Sequence, residues 1–315
     1  MRALTRMRQS LVIGSRGSKL ALRQSEQVRA RLLLLFPSVD IRIEIIRTTG
    51  DVKTDPLAVI GGQGVFTKEL EDALADGRID IAVHSLKDLP TTLPDGLAVS
   101  AICEREDPRD ALVLSRDCDA ENASLGRLPA NAVVGTSSPR RLAQLKFLRR
   151  DLFIKDLRGN VDTRLRKCDE GQYDALILAS AGLRRLGLEN RISAALSTDE
   201  MLPAVGQGAV AIETRTDNEF AVATVSKLNH SETSIACLGE RSLLRALGGG
   251  CQLPIAAHGV VHGNELRLEG LVAKPDGSQI LRDSVLGPIE STESLGAELA
   301  SRLIAKGASS LLSEY

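Results

Sequence analysis

The chain has no tryptophan, two tyrosines and five phenylalanines in 315 residues. Stacking platforms for nucleic-acid bases are therefore scarce. Net charge is also lacking: 40 Lys and Arg face 41 Asp and Glu, leaving −1. General binding to a phosphate backbone needs a basic excess, so no nucleic-acid partner is expected. No apolar run reaches the roughly 18 residues of a membrane span, so no membrane partner is expected either. The basic opening stretch is followed by only Leu11-Val12-Ile13 before Gly14. That is too short for the apolar region of a secretory signal. The five cysteines are odd in number, widely spaced and never arranged C-x-x-C. They read as reduced thiols of a cytoplasmic protein, not as a disulfide framework.

What the chain does have is aliphatic residues and glycine: apolar residues make up 43%, with 27 glycines. Its length suits two or three domains. Short apolar strands such as Leu11–Gly14, Ile79–Val83, Val133-Val134 and Ala175–Leu178 alternate with helical runs such as Ser18–Phe36, Arg140–Leu148 and Val161–Glu170. This alternation predicts α/β lobes with parallel sheets. An internal echo supports two of them. Val12-Ile13-Gly14 recurs as Val133-Val134-Gly135, Gly50-Asp51 as Gly159-Asn160, and Gly77-Arg78-Ile79-Asp80 as Gly171-Gln172-Tyr173-Asp174. Residues 1–104 with 208–228 read as a first α/β lobe and 105–207 as a second. Residues 229–315 read as a smaller α+β domain.

Several stretches carry chemistry. Gly248-Gly249-Gly250-Cys251 places a thiol on a loop between a helical run and a strand. Such a thiol is exposed and able to act as a nucleophile. Arg16, Arg140, Arg141, Arg158, Arg164, Arg184 and Arg185 fall at strand-to-helix turns, joined by the hydroxyls of Ser15, Ser18, Thr136, Ser137 and Ser138. Arginines at such turns suit a carboxylate-rich ligand. Asp88 follows Lys87 at the carboxyl end of a strand, where a carboxylate can accept an N–H or transfer protons. The four histidines give no metal-binding spacing on a helix face. On these residues alone, a two-lobed anion receptor without catalysis is an open alternative. Intact mass discriminates, since a receptor carries no added group.

The blocks IGSRGSKLAL (13–22), GVFTKELEDAL (64–74), DIAVHSLKDLP (80–90), ICEREDPRDAL (102–112), VGTSSPRRLAQL (134–145), LRGNVDTRL (157–165) and LPAVGQGA (202–209), with the Gly248–Pro254 stretch, resemble the porphobilinogen deaminase (hydroxymethylbilane synthase) family over nearly the whole chain. The resemblance implies two lobes like periplasmic binding proteins, with a cleft, and a smaller C-terminal domain. It implies a monomeric transferase that joins four porphobilinogen molecules head to tail, releases ammonia and yields hydroxymethylbilane. It further implies a dipyrromethane cofactor held by a thioether at Cys251, and a catalytic aspartate at Asp88. Lys87, Ser138, Arg140, Arg141, Arg158 and Gly182 match its cofactor-binding positions. Arg16, Ser18, Phe66, Arg164, Arg185 and Gln207 match its substrate-binding positions, where the growing oligopyrrole would lie. Many members carry lysines in the segment matching 57–64. Here it has none, so no lysine contact is carried over.

Overall fold

The computed structural model describes residues 10–48, 67–116, 118, 121–250 and 252–313. Along the chain run β1 (Ser10–Arg16), β2 (Asp40–Ile46), β3 (Ile81–Ser85), β4 (Leu97–Ile102), β5 (Asp110–Leu114), β6 (Val133–Gly135), β7 (Phe153–Lys155), β8 (Ala175–Ala179), β9 (Ala194–Ala195) and β10 (Val210–Arg215). A later group is β11 (Ile255–His262), β12 (Glu265–Ala273) and β13 (Ile280–Pro288). Three sheets result, in the orders β2-β1-β3-β10-β4, β7-β6-β8-β5-β9 and β11-β12-β13. The fold is α/β, with a separate small sheet at the C-terminal end.

The first two sheets are mixed, which corrects the expectation of parallel ones. β1 pairs in parallel with β2 and β3, and β6 with β7 and β8. β10 runs antiparallel to β4, and β5 runs antiparallel to β8 and β9. Parallel neighbours need a crossover, usually a helix. β5 and β10 instead follow stretches before Asp110 and Val210 in which no helix forms.

The sequence echo is repeated bond for bond. The Asp80 carboxylate accepts from the Val12 N–H at 2.8 Å, while the Asp80 N–H donates to the Val12 carbonyl at 2.9 Å. Asp174 does the same with Val133, at 2.7 and 2.9 Å. Gly77 and Gly171 both take positive φ, +71° and +75°, just after the preceding helix. That conformation is nearly free for glycine and costly for residues with a Cβ. Gly14 and Gly135 are needed for space. A Cβ at Gly14 would lie 2.3 Å from Ile79, and one at Gly135 would lie 2.8 Å from Tyr173. The Gly50-Asp51 member of the echo lies outside the described residues.

By its contacts the chain divides into two compact units. One holds residues 1–84, 92–103 and 210–230; the other holds 85–91, 104–209 and 231–315. The first sheet's core includes Leu11, Ile13, Ile81, Val83 and Ile212. In the second unit, β11–β13 bury one face against the helices Ser231–Ala246 and Thr292–Ala305, through Leu243, Leu266, Leu268, Leu299 and Leu303. Each fully buried leucine of this kind stabilises by about 1.5–3 kcal/mol.

Candidate active site

β3 ends at Ser85, and the chain makes one 3-10 turn over Leu86–Asp88. Leu86 is buried and its N–H donates to the Ala209 carbonyl at 3.0 Å. Gly206, at φ +70°, passes so close that a Cβ would meet Leu86 at 2.8 Å. The turn therefore holds Lys87 half-buried and leaves Asp88 exposed.

Lys87 leads into a buried polar network. Its Nζ donates to Gln207 Oε1 at 3.4 Å. The amide nitrogen of Gln207 donates to the Pro108 carbonyl at 2.7 Å and to Asp110 at 3.0 Å. Asp110, wholly buried at the start of β5, also accepts from Arg140 Nη1 at 2.7 Å and from Arg141 Nη2 and Nε at 2.7 and 3.1 Å. Burial alone would raise its pKa, but Arg140 and Arg141 outweigh that and hold it far below the usual carboxylate range. Arg140 and Arg141 sit in the first turn of the helix Pro139–Leu148, capped by the Ser138 hydroxyl. Arg140 also donates to the Leu202 carbonyl at 2.8 Å, and Arg141 to that of Ile177 at 3.0 Å. The Nε of Arg140 is buried with no partner among the described residues.

Around this network lie more cations. Burial pulls the Lys87 ammonium down to about 8; Arg141 and Arg140 add to the fall, and Asp88 and Asp110 oppose it. Burial likewise lowers Arg164 to about 10, with Arg141 and Arg158 adding to the fall and Asp88 and Asp156 opposing it. Arg164 Nε donates to the Gly159 carbonyl at 2.7 Å, Arg158 Nε to Asp156 at 2.9 Å, and Arg185 Nη2 to the Gly208 carbonyl at 2.6 Å. All three are half-buried. Gly182 is buried in the short helix Ser180–Arg185. The structure thus brings Lys87, Asp88, Arg140, Arg141, Arg164 and Gln207 into one electrostatic neighbourhood. Arg16 and Ser18 stand at the end of β1 in the other unit, where the Ser18 hydroxyl accepts from Ala21 N–H at 3.3 Å.

The helix Ser231–Ala246 ties the surroundings together. Glu240 is wholly buried and accepts from both terminal nitrogens of Arg105, at 2.6 and 3.1 Å, and from the N–H groups of Gly206 and Gly259, at 2.7 and 2.8 Å. Arg241 donates to the carbonyls of Leu89 and Pro90 at 3.1 and 2.6 Å, just beyond Asp88. Asp110, Arg105, Glu240 and Arg241 were not singled out from sequence. Glu240 and Arg241 stand among apolar residues of a helix, whereas Arg105 and Asp110 lie in the charged run 104–110, where no single residue stands out.

This helix leads straight to the glycine run. Gly249 N–H donates to the Leu244 carbonyl at 3.0 Å, and a Cβ there would lie 2.5 Å from Ile255. Cys251 and Phe66 lie outside the described residues, as does the lysine-free 57–64 segment. Of the remaining thiols, Cys103, Cys168 and Cys237 are buried. Burial pushes Cys168 up to about 11 and Cys237 up to about 12, so neither is a nucleophile near neutral pH. Among the described residues, no His, Cys, Asp and Glu group is arranged to hold a metal ion.

Comparisons with known proteins bear on this geometry. The family model described as "Porphobilinogen deaminase, dipyromethane cofactor binding domain" matches residues 11–223, and "Porphobilinogen deaminase, C-terminal domain" matches residues 234–305. A curated relative from Chromobacterium violaceum, named porphobilinogen deaminase, is 50% identical over 303 residues, covering 96% of both chains. One of the same name from Pelobacter propionicus is 48% identical over 305 residues, again 96% of both chains. Among solved structures, the probable amino-acid ABC transporter extracellular-binding protein ytmK from Bacillus subtilis is 11% identical with a TM-score of 0.42, covering 70% of this chain and 90% of its own.

Proposed function

The chain belongs to the porphobilinogen deaminase family, and we propose that Asp88 and the cations around it form its catalytic centre. The enzyme is a transferase of tetrapyrrole biosynthesis that joins porphobilinogen units with release of ammonia, and it has a dipyrromethane cofactor-binding domain. The observation that carries the assignment of roles is the turn Leu86–Asp88. It presents Asp88 to solvent while Lys87 is wired through Gln207 to the buried Asp110–Arg140–Arg141 cluster.

The residues fit the cofactor. Each pyrrole unit carries two carboxylates, and the second unit offers Lys87, Arg158, Arg164, Arg185 and the Ser138 hydroxyl, besides the Nε of buried Arg140, which has no partner among the described residues. Charge-assisted bonds from such a set hold planar carboxylates in fixed directions. Bound dipyrromethane supplies the nucleophilic pyrrole carbon on which the product grows. Cys251 is the anchor in this reading, through a thioether that resists hydrolysis. The glycines before it give the backbone freedom for that loop. Arg16, Ser18, Phe66, Arg164, Arg185 and Gln207 contribute to substrate binding; the amide of Gln207, enclosed by Lys87 and Asp110, acts through them.

Asp88 works in each half of an addition. As an acid it assists the departing amine of porphobilinogen. As an anion it stabilises the positive ring that remains, and it then accepts the proton released when the carbon–carbon bond forms. Lys87 and Arg164 lie within electrostatic reach of Asp88 and bring cationic charge to the reacting rings. Repetition gives four units and hydroxymethylbilane. The protein works as a cytoplasmic monomer without nucleic-acid partners, with domains 1–104 plus 208–228, 105–207 and 229–315. Balanced charge, the lack of a helix long and apolar enough to cross a membrane among the described residues, and reduced thiols support this.

Two experiments test the reading. Intact mass of Cys251→Ser should equal the bare chain, while wild type carries two added pyrrole units; added mass on the variant would refute the anchor. In cofactor-loaded Asp88→Asn, single-turnover addition of the first substrate should fall about 10²- to 10⁴-fold, the range for one acid–base group. Its melting temperature should hold, because Asp88 is exposed. A rate within about threefold of wild type would reduce Asp88 to a binding contact.

A further inference from the structure

Gln144 stands one turn beyond Arg140 on the helix Pro139–Leu148 and is buried, and no step of the proposed chemistry calls on it. Its amide clasps one residue of the segment that leads to Gln207. Gln144 Oε1 accepts from the Leu202 N–H at 2.8 Å. Gln144 Nε2 donates to the Leu202 carbonyl at 3.1 Å and to the Arg140 carbonyl at 3.3 Å. Those partners fix which end of the amide is which, because an N–H needs an acceptor and a carbonyl needs a donor. The Leu202 carbonyl also receives Arg140 Nη1, at 2.8 Å. One backbone oxygen is thus shared by Gln144 and Arg140. Pro203 follows and restricts Leu202 to extended backbone. The Pro203 carbonyl accepts from the Ala257 N–H on β11 at 3.1 Å. Leu202 itself packs with Ala143, Ala256, Leu271 and Ala273 in one buried cluster.

We propose that Gln144 is a positioning residue for Arg140, setting the Leu202 carbonyl that aims the guanidinium at the dipyrromethane carboxylates. The inference rests on the cofactor reading above. Arg140 Nη1 is held at two points, by Asp110 and by Leu202, and the buried Nε has no partner among the described residues. A guanidinium is planar, so two acceptors on one nitrogen set the plane and with it the direction of the Nε–H. The Asp110 contact is common to Arg140 and Arg141. The Leu202 contact belongs to Arg140 and depends on where Gln144 holds that backbone.

Two variants of the cofactor-loaded enzyme test this. Gln144→Met keeps the length of the side chain and removes donor and acceptor. Gln144→Glu keeps the acceptor for the Leu202 N–H and loses the donor. Both residues suit a helix interior. Each variant should lower kcat about tenfold with KM for porphobilinogen within about twofold, because the tethered rings are misplaced while substrate contacts remain. Arg140→Lys keeps a cation and loses the planar fork. In that background Gln144→Met should lower kcat by less than about twofold more, because it acts through Arg140. A Gln144 that only braces the fold would lower the melting temperature, and its effect would multiply with that of Arg140→Lys. Such a multiplied loss, or either loaded variant turning over within about twofold of wild type, overturns the proposal. Intact mass keeps the two readings apart. Wild type without two added pyrrole units would overturn the cofactor reading and this inference together, whereas loaded wild type matched by a loaded variant overturns this inference alone.

Discussion

The first two sheets share a strand order and the same aspartate clasp, yet their fourth strands bury opposite electrostatics. In the first, β10 carries Glu213 under a single imidazole, with a second acid close by. In the second, β5 carries Asp110 under two guanidiniums. Among the described residues, the first acid is paired with one imidazole and the second with two guanidiniums. The same scaffold thus supports an inward-looking joint in one unit and a cationic, ligand-facing end in the other. What differs is which residue stands opposite the buried acid, not the topology. The arginines of the second unit also divide into two kinds. Arg140 and Arg141 are buried and bound to Asp110 and the backbone, whereas Arg158, Arg164 and Arg185 are only partly buried.

Removing the acid from the surplus side should break the comparison most severely. Asp110→Ala leaves two buried guanidiniums without an anion, a change that usually costs about 3–5 kcal/mol. Denaturant unfolding should report a loss of that size, along with failure to assemble the holoenzyme. A loss below about 1 kcal/mol would mean that the arginines find other anions or water. Next in size, Arg158→Leu spares the buried cluster and tests the outward kind. Its pairing with Asp156 is partly exposed and contributes little to stability. Its bond to a shielded ligand carboxylate should be worth about 1.5–3 kcal/mol, so cofactor assembly or elongation should drop about 10- to 100-fold while the melting temperature holds. Wild-type elongation would make Arg158 a solvated surface charge.

Sequence reading reached far here because local signals and tertiary fold agree. Glycine at Gly77 and Gly171, aspartate at Asp80 and Asp174, and apolar strands between helices each imply their own geometry, and the echo ties them together. It fell short in two places. Strand direction at β5 and β10 is decided by long-range pairing, which leaves no periodicity in the strand itself. The partners of the arginines were equally hidden. Asp110 is about thirty residues from Arg140 along the chain, and Glu240 is 135 from Arg105. Turn position alone could not separate Arg140 and Arg141, held by a buried acid, from Arg158, which faces outward. Asp88 stands exposed on its turn, where the strand end and Pro90 in the sequence pointed to a loop.

The smallest expected effect sharpens the comparison through pH. Burial brings Lys87 from the ordinary lysine value of 10.5 down to about 8. Between those values the unfolded chain binds a proton that the folded chain has released. By linkage, this group's contribution to stability rises with pH across that window. Binding runs the other way. A ligand carboxylate needs the ammonium, so affinity should weaken as pH passes about 8, by at most about tenfold per pH unit. Measuring KM for porphobilinogen and the unfolding midpoint in one buffer series from about pH 7 to about pH 9 separates the two. Lys87→Arg stays cationic and should keep affinity while flattening its pH dependence. Lys87→Gln should flatten it at the weaker level. If wild type and Lys87→Arg weakened in parallel above pH about 8, the titrating group would lie elsewhere, and Lys87 would be a fixed charge like the arginines beside it.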